Sequence, residues 1–162
     1  TFAVRLYHVA MKEYLSFPAF LLVRRWMGLP LFALLLAGCG GEPFKHVKIT
    51  GKVTYEDGTV IPASFMELTF EPLTEAIDEK THPRPGHAGV DVTTGEFATV
   101  TTHKPGDGVV AGKHKVKITA YDEDQGVSNA IPAEYMDIAT TPLEFDTSQS
   151  THWEIKVKRP EE

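Results

Sequence analysis

Cysteine is nearly absent: one residue, Cys39, in a chain of 162. A lone thiol excludes a disulfide within the chain and a metal cluster built on several thiolates, so packing alone has to hold the fold. Helical periodicity is missing too. Past residue 45 no stretch keeps apolar residues at three- and four-residue spacing over three turns, which argues against a helical domain. Positive charge is scarce: past residue 38, 12 lysines and arginines face 21 aspartates and glutamates, a net charge of −9 with histidine neutral. Such a surface repels a polyanion, and nucleic acid is excluded as a partner. The apolar run 26–38 has 13 residues, whereas a spanning helix needs about 20. Pro30 interrupts it, and extending it back to Phe17 would place Arg24 and Arg25 in hydrocarbon at roughly 2.5 to 3.5 kcal/mol each.

That run is framed like a secretory signal. Arg24-Arg25 supply the basic flank, a short apolar core follows, and small residues end it. A thiol is a natural nucleophile for taking up a diacylglyceryl group, and Ala37 and Gly38 are small enough to admit a peptidase to the backbone. Leu36-Ala37-Gly38-Cys39 resembles the bacterial lipobox. The resemblance implies cleavage between Gly38 and Cys39, lipidation of Cys39 on sulfur, and a mature chain that begins there. The plain alternative is a cysteine packed as a small apolar residue in a hydrophobic helix. Met11 is the natural start for a signal of this shape. The expected organisation is a signal peptide with an upstream extension at 1–38, a short tether at 39–45, a β-domain at 46–159 and a tail at 160–162. The 124 residues from Cys39 onward suffice for one domain and are too few for two.

Period-two alternation dominates the domain. Val47, Ile49, Gly51, Val53 and Tyr55 share one face of a first strand, and Glu56-Asp57-Gly58-Thr59 forms a turn. Phe65–Phe70 follows with Met66, Leu68 and Phe70 on one side, and Pro72 ends it. Residues 71–86, with Pro72, Pro83, Pro85 and Gly86, form a long loop. Further strands are expected at 87–92 and 96–101, joined through Thr93-Thr94-Gly95. The cleanest alternation is 113–120, with His114, Val116, Ile118 and Ala120 inward and lysines outward. Residues 121–141 make a second long excursion with one helical turn near Ala133–Met136. Strands at 143–145 and 153–158 close the domain.

Four stretches together resemble the small planctomycete-type lipoproteins that carry one transthyretin-like or carboxypeptidase-regulatory-like β-sandwich behind a lipobox. They are Ile49-Thr50-Gly51-Lys52-Val53-Thr54-Tyr55, Leu68-Thr69-Phe70-Glu71-Pro72, Gly95-Glu96-Phe97, and the run from Pro105 to Val116. Ile131-Pro132-Ala133-Glu134-Tyr135 resembles the Ile-Pro-x-x-Tyr segment of the same proteins. The likeness covers roughly 39–159, is carried by turn glycines and strand alternation, and implies a fold without supplying a catalytic residue. Transthyretin-like hydrolases end in Tyr-Arg-Gly-Ser, whereas this chain ends Ile155-Lys156-Val157-Lys158-Arg159-Pro160-Glu161-Glu162. Intradiol dioxygenases need two tyrosines and two histidines around iron, and Tyr55, Tyr121 and Tyr135 show no such pairing.

Candidate sites are sparse. His82, His87, His103, His114 and His152 raise the question of zinc or copper, yet their spacing repeats no ligand pattern, and His114 falls on an inward face as a core or rim residue. Asp122, Glu123 and Asp124 offer oxygens to calcium, with Asp107 or Asp137 joining from other loops, but the spaced acidic loop ending in glycine is missing. Trp153 sits in an alternating strand as a core aromatic. No Gly-x-Ser-x-Gly elbow is present. The sequence therefore leads to an all-β, seven-stranded antiparallel sandwich of Ig-like or transthyretin-like type. It is expected to be non-catalytic and without cofactor or metal. Lipidated Cys39 would hold it to the cell-envelope membrane on the periplasmic or extracellular face. It would act there as a structural or interaction module, with an envelope protein or glycan as the open partner class. The alternative is an envelope binding protein using loops 71–86 and 121–141 for a sugar, a peptide or a metal ion, and the third reading is an envelope hydrolase.

Overall fold

The computed structural model describes residues 42–161 except residue 125. Residues 1–38, expected to be a signal peptide, and the expected cleavage and lipidation site at Gly38 and Cys39 lie outside the described residues. Nine strands and one 3-10 turn follow in order: β1 His46–Val47, β2 Thr50–Tyr55, β3 Phe65–Pro72, β4 Gly86–Val90, β5 Glu96–Phe97, β6 Val109–Val110, β7 Lys113–Tyr121, the turn Ala133–Met136, β8 Glu144–Asp146 and β9 His152–Val157. They form a four-stranded antiparallel sheet β4-β3-β7-β8, a three-stranded sheet β5-β2-β9 and a two-stranded sheet β1-β6.

The described residues are all-β with a sandwich-like arrangement, as their alternation implies. Two features depart from the seven-stranded antiparallel expectation. Nine strands are present among the described residues, because β1 and β6 are two-residue pieces too short to show a period. The expected strand 47–55 also breaks at Lys48-Ile49, where the chain leaves its pairing with β6 and joins β9. The expected strand 96–101 shrinks to β5, and Thr101 keeps only an isolated bridge to His87. The pairing of β2 with β9 is parallel, from Thr50 opposite His152 to Tyr55 opposite Val157. Alternation specifies which side chains face inward but not the direction of a distant partner.

One core, built from residues between 47 and 157, fills the space between the sheets. β3 contributes Met66, Leu68 and Phe70, β7 contributes Val116, Ile118 and Ala120, and β9 contributes Trp153, Ile155 and Val157, all buried. Phe70 bridges the sheets, with ring centroids 5.7 Å from Phe97 and 5.7 Å from Trp153. Trp153 is the core aromatic its strand position implies, and its indole N–H donates to the Ser150 carbonyl at 2.8 Å. The outward lysines of β7 meet acids in register: Lys113 stands opposite Asp146, and Lys115 between Glu71 and Glu144. The excursion 121–141 is partly core. Ile131 and Tyr135 are buried, and the Tyr55 hydroxyl donates to the Ala130 carbonyl at 2.8 Å.

Gly51 sits where β2 meets both neighbours. A methyl built there would lie 2.1 Å from the Trp153 carbonyl oxygen and 2.8 Å from the Phe97 ring, so the aromatic rests directly on the bare backbone. Gly112, ahead of β7, has φ +128°, a conformation closed to other residues. His114 is wholly buried against Trp153, with ring centroids 6.1 Å apart. Its Nδ1 lies 3.2 Å from the Gly112 carbonyl, which only accepts, so that nitrogen carries the proton. Nε2 has no partner among the described residues.

Two outcomes are expected. Gly51→Ala lowers stability in urea unfolding by about 2 kcal/mol or more through overpacking, whereas Gly89→Ala, with nothing within 4 Å of the added methyl, stays within about 0.5 kcal/mol of wild type. Burial pushes the His114 pKa below its ordinary 6.5, so the unfolded chain takes up the proton first. That contribution is complete above 6.5 and declines as pH falls below it. The urea midpoint should therefore drop between about pH 7.5 and about pH 5.5, and His114→Phe should flatten the slope.

Candidate functional site

The two long loops do not meet. β3 and β7 run antiparallel, with Phe65 opposite Tyr121 at one end and Pro72 opposite His114 at the other. The loop after Pro72 therefore leaves one end of the sheet and the excursion after Tyr121 leaves the opposite end. A cavity of about 210 Å³ lies beside the first, and its lining includes Glu42, His46, Lys80, His82, Arg84 and His103. No residue of 121–141 lines it.

Backbone pairing assembles this cavity. β1 lies against β6 with His46 opposite Val110, and the Ala111 N–H donates to the Lys45 carbonyl at 2.7 Å. Residues 42–45, read from sequence as tether, are thus already fastened to the domain. From the other side the Thr74 hydroxyl donates to the Ala111 carbonyl at 3.4 Å, drawing in the loop that carries Lys80, His82 and Arg84. Thr102 and His103 of the turn 102–107 complete the lining, and Asp107 organises that turn. Its Oδ1 accepts the Thr102 N–H at 2.8 Å, and Oδ2 accepts the N–H groups of His103 at 3.0 Å and Lys104 at 2.9 Å.

His46 lies between two carboxylates. Nδ1 is 3.1 Å from Glu42 Oε2, and Nε2 is 4.0 Å from Asp107 Oδ2. The other oxygen of Glu42 takes the Lys104 ammonium. The Lys104 hydrogen bond, assisted by the nearby charges of Lys104, His46 and His103, lowers the Glu42 pKa, and Glu42 raises that of Lys104 in return. Burial pushes the Asp107 carboxyl up, but the three backbone N–H donors and His46 outweigh it and leave the pKa below its ordinary value. Among the described residues, Glu42, His46 and Asp107 are the one trio of potential metal ligands whose donor atoms all lie within 4.8 Å of one another.

Of the five histidines singled out in the sequence, His82 and His103 come to this cavity. His103 Nδ1 lies 3.4 Å from the Arg84 guanidinium, and His82 Nε2 lies 2.9 Å from the Glu79 carbonyl. His87 lies outside on β4, 3.3 Å from Glu67, His152 stands exposed 3.3 Å from Glu154, and His114 belongs to the core. The acids considered for calcium are not gathered. Asp122, Glu123 and Asp124 border an open hollow with Pro62, Ala63 and Ser64. Asp137 accepts the Ala139 N–H, and Asp107 serves the turn described above. Trp153 is 2% exposed and stacks on Phe145 at 4.9 Å, so it offers no free face to a sugar.

Glu42 and His46 escaped the sequence reading. The only local signal is their spacing of four across the boundary between the expected tether at 39–45 and the domain from 46, and the third member, Asp107, lies 61 residues beyond His46. Chemically the arrangement offers one imidazole nitrogen and two carboxylates to a cation, with Lys80, Arg84 and Lys104 at the margin. Thr102, the hydroxyl nearest the turn, is committed as a donor to the Gly108 carbonyl at 2.6 Å. Comparison with protein-family models, with curated proteins and with solved structures finds no match to this chain.

Proposed function

We propose that the protein is a non-catalytic, lipid-anchored module of the cell envelope, with a β-sandwich of the transthyretin-like or carboxypeptidase-regulatory-like kind carried by small planctomycete-type lipoproteins. The observation that carries this reading is Leu36-Ala37-Gly38-Cys39 standing immediately ahead of a domain whose core, among the described residues, is built from residue 47 onward. Only Gly40 and Gly41 separate Cys39 from Glu42, and two extended residues reach about 7 Å. An acylated Cys39 would hold the β1 end of the domain, with its cavity, beside the lipid headgroups. Two or more acyl chains, at about 0.8 kcal/mol per buried methylene, make such an anchor stable. Among the described residues no helix is long and apolar enough to cross a membrane. An envelope protein or glycan is the partner class.

The second reading is a binding protein, favoured by the cavity between residues 42–46 and 80–84. The loops leave opposite ends of β3 and β7, so a site composed of both is replaced by one at the Pro72 end. A thermal-shift screen of sugars and peptides against the domain tests it.

Expressed in a bacterial host with lipoprotein processing, the full chain should incorporate labelled palmitate and sediment with membranes. Cys39→Ser should abolish both while leaving the far-ultraviolet spectrum of the domain unchanged. Label retained by the serine variant would refute the anchor.

A further inference from the structure

The trio beside the cavity, of which Glu42 and His46 line it, combines ligand types that calcium and magnesium do not favour together. Both of those ions prefer all-oxygen shells, whereas an imidazole nitrogen selects zinc and its neighbours in the transition series. We propose that Glu42, His46 and Asp107 bind one divalent transition-metal ion of the zinc class, which fastens residues 42–46 to the turn 102–107. This deepens the binding reading by naming the ligand, and it stands apart from the anchor.

Geometry carries the inference. The three donor atoms already lie within 4.8 Å of one another. Bound to one zinc at about 2.0 to 2.2 Å in a tetrahedron, they would stand about 3.4 Å apart. Glu42 faces Nδ1 of His46 and Asp107 faces Nε2, and an ion takes one of the two nitrogens, so closing the site asks the exposed Glu42 side chain to swing toward the Asp107 side. Asp107 is the fixed member, because its two oxygens are held in place by the N–H groups of Thr102, His103 and Lys104. Oδ1 accepts a single backbone bond and keeps a lone pair for an ion, whereas both lone-pair sites of Oδ2 are taken by the N–H groups of His103 and Lys104. His46 is held by the β1–β6 pairing and is largely shielded from solvent, as is Asp107. The fourth position falls to water or to His103, which lines the same cavity.

The ion has a competitor inside the protein. Lys104 occupies one oxygen of Glu42, and its charge, with those of Lys80 and Arg84 on the rim, opposes a cation. Removing that competitor therefore separates a metal site from a surface ion-pair network. Metal binding should tighten when Lys104 is neutralised, whereas a network that never binds metal has nothing to tighten. Burial of the ion between the two segments also predicts a mechanical effect. The segment before β1, held otherwise by a few hydrogen bonds, should resist proteolysis once the ion is present.

The test is calorimetric titration of the full chain with zinc chloride at about pH 7.5. Cobalt serves as a visible-absorption stand-in. The expected result is one ion per chain, with affinity weakened at least about tenfold by Glu42→Gln and by His46→Gln. Lys104→Met should tighten it by up to about fivefold. His46 sits in a short strand, so circular dichroism checks its variant; Glu42→Gln alters an exposed side chain and decides the matter alone if the other fails to fold. No heat or cobalt absorption at millimolar metal would overturn the proposal. So would an affinity unchanged in Glu42→Gln, which would move the ion to His82 and His103. Stabilisation by a sugar or peptide together with silence toward zinc would sink the metal site and leave the binding reading standing.

Discussion

Phe70 touches Phe97 and Trp153 across the gap between the four-stranded and three-stranded sheets, and the two sheets are held in one molecule at this point. Burying a phenylalanine side chain is worth roughly 1.5 to 3 kcal/mol, and tilted aromatic pairs add about 0.5 to 1.5 kcal/mol. The clasp requires that nothing stand between Phe97 and the β2 backbone, which is why residue 51 carries no side chain. His114, closing the far side of Trp153, accepts an unpaired nitrogen as the cost of filling that corner. In a chain without a disulfide, these ring contacts take the place of a covalent link between sheets.

The faces of the strands were readable because a period of two is a local property. Met66, Leu68, Phe70, Val116, Ile118 and Ala120 all point where alternation puts them, and the single helical turn falls on Ala133–Met136 as expected. What alternation could not convey was pairing. β1 and β6 are two residues each, shorter than one full repeat, and the partner of β2 lies about a hundred positions away in β9. The excursion 121–141 looked like loop because Pro132, Asn129 and Gly126 punctuate it, yet Ile131 and Tyr135 turn inward and are covered by the chain.

The cavity was less legible than the fold. His82 and His103 stood out by residue type, but spacing along the chain argues against a shared ligand because spacing registers only local geometry. Here a backbone bond from Ala111 to Lys45 and a threonine hydroxyl at residue 74 draw three separate segments together. Glu42 was hidden by composition, since two glycines before it and a proline after it read as linker. Asp107 was noticed as an acid in a turn, and its neighbours along the chain give no hint that His46 faces it. Side-chain chemistry concentrated at the start of a domain is easily mistaken for the approach to it.

The parallel register of β2 with β9 joins one of the first strands to the last. A ribosome delivers this chain from the N-terminal side, so β2 waits, one edge unpaired, until residue 157 has emerged. The central aromatic cluster waits with it, because Trp153 arrives in the same final strand. Pairing over such a sequence distance is entropically slow. The three-stranded sheet is therefore the late-closing half of the domain, whereas every strand of the sheet β4-β3-β7-β8 has been made by residue 146.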